Sequence, residues 1–216
     1  MEAHPHLPPP ALTSAPWDAN QDKLMTMDYY DDTYTEIRFV AASQGSGKTD
    51  ICMLLFSAPQ MQQRMPVVVS RSTYKQIMKL LNDRSASVCN LALRLADRLI
   101  LRLVGIRLLP PKNGEMKALI DFLTPASLTG ERKFISLSCD LPEALALVNE
   151  TGCRLHIKIS LLAAMAISDD TKETGFRCPL GSLPDEFLRA SMEEAVANEN
   201  YELASLFRDE INHRLS

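Results

Sequence analysis

The stretch IRFVAASQGSGKTDICMLLF runs from Ile37 to Phe56, two apolar runs around a Gly-rich centre. Whether the second run is a helix or a strand decides which fold the chain can build. Ala42 to Thr49 spell the phosphate-binding loop pattern, with Ala in place of the first Gly. In such a loop, backbone N–H groups cradle phosphates, Lys48 reaches them, and Thr49 holds Mg²⁺ at the start of a helix. The following DICMLLFS is short, carries Ile51, Cys52 and Phe56, and is ended by Pro59. A crossover to a parallel strand usually needs a dozen or more residues and a real helix. A hairpin accounts for the same residues more simply. EIRFVA (36–41) goes out, SQGSGKT turns, and DICMLLFS returns, with Gly45 and Gly47 supplying positive φ. The hairpin is the expectation. Nucleotide binding through Gly45, Gly47, Lys48 and Thr49 stands as an alternative, with Asp121 in ALIDF as a partner for Mg²⁺.

Outward from this stretch, the pattern alternates between strand and helix over residues 36–167. MPVVVS (65–70) reads as a strand, and Ser70 caps a helix through RSTYKQIMKLL. Val88, Leu91, Leu95 and Leu99 recur at helical spacing. Two apolar runs flank PPKNG, whose Asn113-Gly114 pair is hairpin-turn chemistry. RKFISLS (132–138) is a strand. LPEALALVNETG (141–152) opens with Pro at its second position and closes on Gly152, as a helix does. RLHIKI (154–159) is a strand and SLLAAMAI (160–167) a short helix. The expected fold class is α+β, a mixed β-sheet with packed helices over 35–167. Residues 1–34, rich in Pro and acid, read as a disordered tail, and 168–183 as a linker. Residues 184–216 read as a two-helix hairpin broken at NEN.

Composition narrows the function classes. The chain has 216 residues, 46% of them hydrophobic and 23% charged, with a net charge of −4. That suits a soluble globular protein and gives no global electrostatic footprint for nucleic acid, while leaving room for a local basic patch. The five cysteines contain no C-x-x-C pair and the four histidines match no zinc spacing, so reduced thiols and no zinc site are expected. The N-terminus has no basic-then-apolar signal, and no apolar run is long enough to span a membrane. Nucleus or cytoplasm is the expected compartment.

The C-terminal segment carries the most specific pattern. Tyr201, Glu202, Ala204, Arg208, Asp209 and Ile211 follow an upstream Met192-Glu193-x-Ala195. This resembles the UVR motif of the excision-repair proteins UvrB and UvrC and of some chaperone-associated proteins. The resemblance implies protein–protein contact, often with a second such hairpin, and hence a possible homo-oligomer. Leu188, Met192 and Ala195 are expected to pack against Tyr201, Ala204 and Ile211, with Glu202 and Arg208 in a polar rim.

The middle of the chain is similar to the bifunctional nuclease family. FISLSCDLPEALALVNETGCRLHIKISLLAAMAI (134–167) has the order of its closing block: strand, helix, Gly turn, strand and helix. Glu143 falls on the family Asp, and Ala144, Ala146 and Leu147 match the family residues after that Asp. MPVVVSRSTYKQIMKLLND resembles its strand-then-helix block, and Arg84 with SASVCNLAL sits at its Arg-Pro-Leu-Thr-His-Asp-Leu-Leu. Plant members also end in a UVR segment and are tied to defence responses. The match is divergent: family Arg-Pro-Ser-Asp has become Asp140-Leu141-Pro142-Glu143, and family Thr-His-Asp-Leu something like Val88-Cys89-Asn90-Leu91.

The resemblance implies hydrolysis of RNA and DNA phosphodiesters. Carboxylates holding Mg²⁺ or Mn²⁺ would activate water and stabilise the developing charge. Asp140 and Glu143 are the candidates for that work, and Arg84 and Lys133 for phosphate contact. Carboxylates at a helix start are also placed favourably against the macrodipole without any catalysis. His156 on a short strand reads as a structural residue. Three readings remain open: a nuclease, a non-catalytic scaffold that binds partners through its UVR tail, and a nucleotide-binding switch.

Overall fold

The structure is a computed structural model, and it describes residues 30, 33–44, 52–82, 93, 96–124, 133–168 and 179–215. The chain divides after Asp31, and Asp32–Ser216 form one compact unit. The Pro-rich tail, the Gly45–Thr49 stretch, Arg84, and Val88, Leu91 and Leu95 lie outside the described residues.

The strands are β1 (Tyr34–Gln44), β2 (Cys52–Ala58), β3 (Gln63–Val69), β4 (Arg102–Leu108), β5 (Lys117–Leu123), β6 (Phe134–Asp140), β7 (Leu155–Lys158) and β8 (Ile167–Ser168). The helices are α1 (Arg71–Asn82), α2 (Leu141–Thr151), α3 (Ile159–Met165), α4 (Asp185–Ala197) and α5 (Tyr201–Leu215). The strands form one eight-stranded sheet in the order β6-β5-β4-β7-β1-β2-β3-β8. Among the described strands only the β4–β7 pair is parallel, so the sheet is mixed and the class is α+β.

The opening stretch is resolved by pairing. β1 and β2 run antiparallel, with Gln44 opposite Cys52. A strand therefore stands where a phosphate loop needs its helix, and the Gly-rich residues join two hydrogen-bonded neighbours. β2 alternates buried and half-buried residues along its length, the period of a strand with one face in the core. The first part of β1 pairs with β7, from Tyr34 opposite Lys158 to Ile37 opposite Leu155. A register shift between Phe39 and Ala41 then bends β1 into the β2 half of the sheet, which curls it.

α1 and α2 cover one face. Ile77 of α1 and Leu141, Ala144, Leu145 and Leu147 of α2 join Leu54, Phe56, Ile106, Ile120, Leu155 and Ile157 in the main core. Each such Leu contributes roughly 1.5–3 kcal/mol by leaving water. Local chemistry sets the ends of these helices. The Ser70 hydroxyl accepts the Thr73 amide at 3.0 Å. α2 has Pro142 in its first turn and stops at Gly152, which takes a left-handed φ of 67°.

The β4–β5 turn is as its residues dictate, with Asn113 and Gly114 both at positive φ. Two expectations are corrected. Leu99 does not continue an apolar helix face; it is exposed, in a turn. The segment before the C-terminal hairpin is not linker to its end: Leu180–Ser182 form a 3-10 turn and Leu183 is buried.

Candidate functional site

A cleft of about 470 Å³ opens where α1, α2 and α4 begin. Ser70, Thr73, Lys117, Asp140, Asp185 and Glu186 line it beside the Gly114 turn. Three helix starts meet around this space; the first amides of α1 are taken by Ser70 and Glu186, and those of α2 by its capping box. The carboxylates of the same lining offer oxygen ligands to a divalent cation.

Asp140 sits where β6 ends and α2 begins. Its side chain and that of Glu143 form a capping box, each accepting from the other residue's backbone amide. The Asp140 amide donates to Glu143 Oε2 at 3.2 Å. Asp140 also pairs with Lys117 at 3.7 Å, and both side chains are exposed. Both carboxylates are thus engaged in the cap; Asp140 also lines the cleft, and Glu143 does not.

Lys133 is at the other end of β6, where its amide donates to Thr124 Oγ1 at 2.9 Å. Seven residues of strand rise put it about 23 Å from Asp140. It is not in the same site.

Asp121 belongs to neither place. Its carboxylate is fully buried on the sheet face away from α1 and α2 and accepts Arg107 Nε at 2.7 Å. It also accepts Arg107 Nη2 at 2.8 Å and the Ser136 hydroxyl at 2.5 Å. A carboxylate held by a guanidinium and a hydroxyl is a structural ion pair and not an open metal ligand. Asp121 does not face solvent, and its role as a partner for Mg²⁺ in the nucleotide-binding alternative has no open site.

His156 is buried on neighbouring β7, opposite Arg107 on one side and Glu36 on the other. Burial pushes its imidazole below the ordinary value, and the Glu36 carboxylate pulls the other way. Burial likewise raises the Cys153 thiol. Among the described residues, no three His, Cys, Asp or Glu side chains gather as a metal-holding group. Mg²⁺ is commonly held by one or two carboxylates together with substrate phosphates. Asp140 and Glu143 are both engaged in the cap, so either would hold a metal only by leaving it.

The C-terminal hairpin packs its own small core. Leu188 of α4, Phe207 and Ile211 of α5, Leu183 and Val68 of β3 are its buried members, with Met192 half-buried beside them. Ala195 of α4 and Ala204 of α5 are buried. Tyr201 is 66% exposed, so the expected packing of its ring against α4 does not occur. Glu202 is exposed, and Arg208 pairs with Asp209 at 2.8 Å on the surface.

Sequence reasoning passed over Arg214, which is nearly fully buried. It reaches Glu210 at 2.9 Å, Asp185 at 2.6 Å and the carbonyls of Leu183 and Leu180. A cation in the last turn of a helix is the usual dipole partner, and nothing local in the sequence marks this one as a clamp. Contacts among the described residues seat the hairpin on the sheet domain: Val68 in its core, the Arg71 amide donating to Glu186 at 2.7 Å, the Gly114 amide donating to the Gly181 carbonyl at 3.3 Å, and Gly114 against Leu183. A Cβ at position 114 would lie 2.6 Å from the Pro184 Cα and closer still to the Leu183 carbonyl.

Residues 186–213 match the family model of the UVR, or UvrB/uvrC, motif, which coincides with α4, its break and most of α5. The C-terminal hairpin is a UVR motif. No curated protein matches the chain.

Proposed function

We propose that this chain is a nuclease-like protein that hydrolyses RNA and DNA phosphodiesters and makes protein contacts through its UVR hairpin. The cleft carries the reading. It combines three helix starts, one cation at Lys117 and carboxylates at Glu115, Asp140, Asp185 and Glu186. The resemblance of residues 36–167 to the bifunctional nucleases, followed by a UVR motif, supports it further. In this reading Lys117 holds the phosphate and Asp140 faces the reacting group. A bound Mg²⁺ or Mn²⁺ would supply an activated water and offset charge on the phosphorane.

A second reading is favoured by the capping box. Both candidate carboxylates have structural work at the start of α2, so the domain stands without chemistry, as a scaffold for the UVR hairpin. Isosteric amides separate the two, because Asn caps a helix as well as Asp and Gln replaces Glu in a capping box. Purified protein, Asp140→Asn and Glu143→Gln are incubated with single-stranded RNA and plasmid DNA in Mg²⁺, Mn²⁺ or EDTA. The nuclease reading expects metal-dependent cleavage that Asp140→Asn abolishes at unchanged thermal stability. Wild-type protein inert under every metal would leave the scaffold.

A further inference from the structure

The net charge of −4 conceals a cationic face. Strand register places Tyr34 and Glu36 of β1 opposite Lys158 and His156 of β7, on the sheet face away from α1 and α2, with Arg38 and Arg154 just beyond the paired positions. Arg107 of β4 lies opposite His156 on the same face. The Glu36 carboxylate holds both arginines, Arg38 Nε at 3.2 Å and Arg154 Nε at 3.7 Å. Their side chains remain 70% and 71% exposed. Arg107 and Lys158 lie over the Tyr34 ring at 5.7 and 6.0 Å from its centre.

Among the described residues, four cations therefore meet two carboxylates here. One of those, Asp121, is fully buried under Arg107 and Ser136 and adds little to the outer field. Burial keeps His156 neutral near pH 7, so it adds no charge. Anchoring by Glu36 and by the Tyr34 ring lowers the ordering cost of the cations on meeting a polyanion. A guanidinium has five N–H donors, of which Nε–H is one, so each arginine keeps a fork of donors for phosphate oxygens.

We propose that this face binds single-stranded nucleic acid through its phosphates, with Arg38, Arg154 and Lys158 as the contacts. Charge complementarity chooses the occupant: a cationic strip on an acidic protein selects a polyanion. The inference shares with the nuclease reading that nucleic acid is the ligand, but it does not depend on cleavage.

The test is fluorescence anisotropy of a labelled oligouridylate with the full chain in EDTA, over a salt series. For single strands the slope of log K against log salt is about −0.7 per phosphate neutralised, so three contacts give about −2. The double variant Arg38→Gln, Arg154→Gln should weaken binding and reduce the slope by about 1.4. Lys75→Gln, Lys79→Gln on α1 removes the same charge elsewhere and should change neither. No binding, an equal effect of the two doubles, or displacement by polyglutamate as effective as by unlabelled RNA would each overturn the proposal. Cleavage that survives the arginine double with unchanged RNA affinity would sink this inference and leave the nuclease reading. Binding without any cleavage would do the reverse.

Discussion

Asp121 shows how a residue's neighbours decide its role. In ALIDF it is an isolated acid in an apolar strand, and its partner Arg107 is fourteen positions away on the adjacent strand. The pairing depends on the β4–β5 register, which shifts by one between Leu103 and Gly105, and a local reading of sequence does not supply that shift. Removing one partner of a buried pair leaves an uncompensated charge. Asp121→Ala is expected to cost about 3–5 kcal/mol in urea unfolding, whereas Arg107→Met with Asp121→Leu recovers most of it. His156 gives a pH dependence. Its folded pKa lies below the ordinary value of about 6.5, so the unfolded chain binds the proton first. Stability from this site is present above pH 6.5 and is lost as pH falls toward the lowered folded value. Unfolding midpoints of His156→Gln should fall less than those of wild type between pH 7 and pH 5.

At the scale of elements, the turns and caps were plain in the sequence and their partners were not. Asn113-Gly114 announces a hairpin, and the hairpin is there. That Gly114 must also be bare because Leu183 rests on it is visible only in three dimensions. Gly114→Ala should therefore do more than strain a turn. Faster amide exchange is expected at residues 181–188, with protection of β4 and β5 held. The Gly45–Thr49 motif shows the converse. Its one-dimensional spelling suggests a helix start, yet the apolar, β-prone residues after it form a strand paired along its whole length with β3. Tyr201, an anchor of the UVR pattern, is exposed because α5 turns Ala204, Phe207 and Ile211 inward, a face that leaves position 201 outside.

For the whole molecule, the C-terminal hairpin was legible by its motif, from Met192 to Ile211. Its joint with the sheet domain was not, because it depends on Val68, Arg71 and Gly114 of the sheet domain meeting Leu183 and Glu186 of the hairpin. β3 is buried on both faces, Val67 and Val69 under the main core and Val68 under the hairpin. A chain ending at residue 178 should keep its sheet and lose roughly 1.5–3 kcal/mol from the uncovering of Val68. Circular dichroism and urea midpoints would show native strand signal with a lowered transition.

The seating of the hairpin has a kinetic corollary. Its inner side is already occupied by the chain's own β3, while Val196, Leu203 and Leu206 face outward. A companion that accepts the outward side can land at a rate proportional to its concentration. One that competes for the inner side must wait until Arg214 releases the carbonyls of Leu180 and Leu183. Its observed rate would level off at high concentration, at the speed of that release.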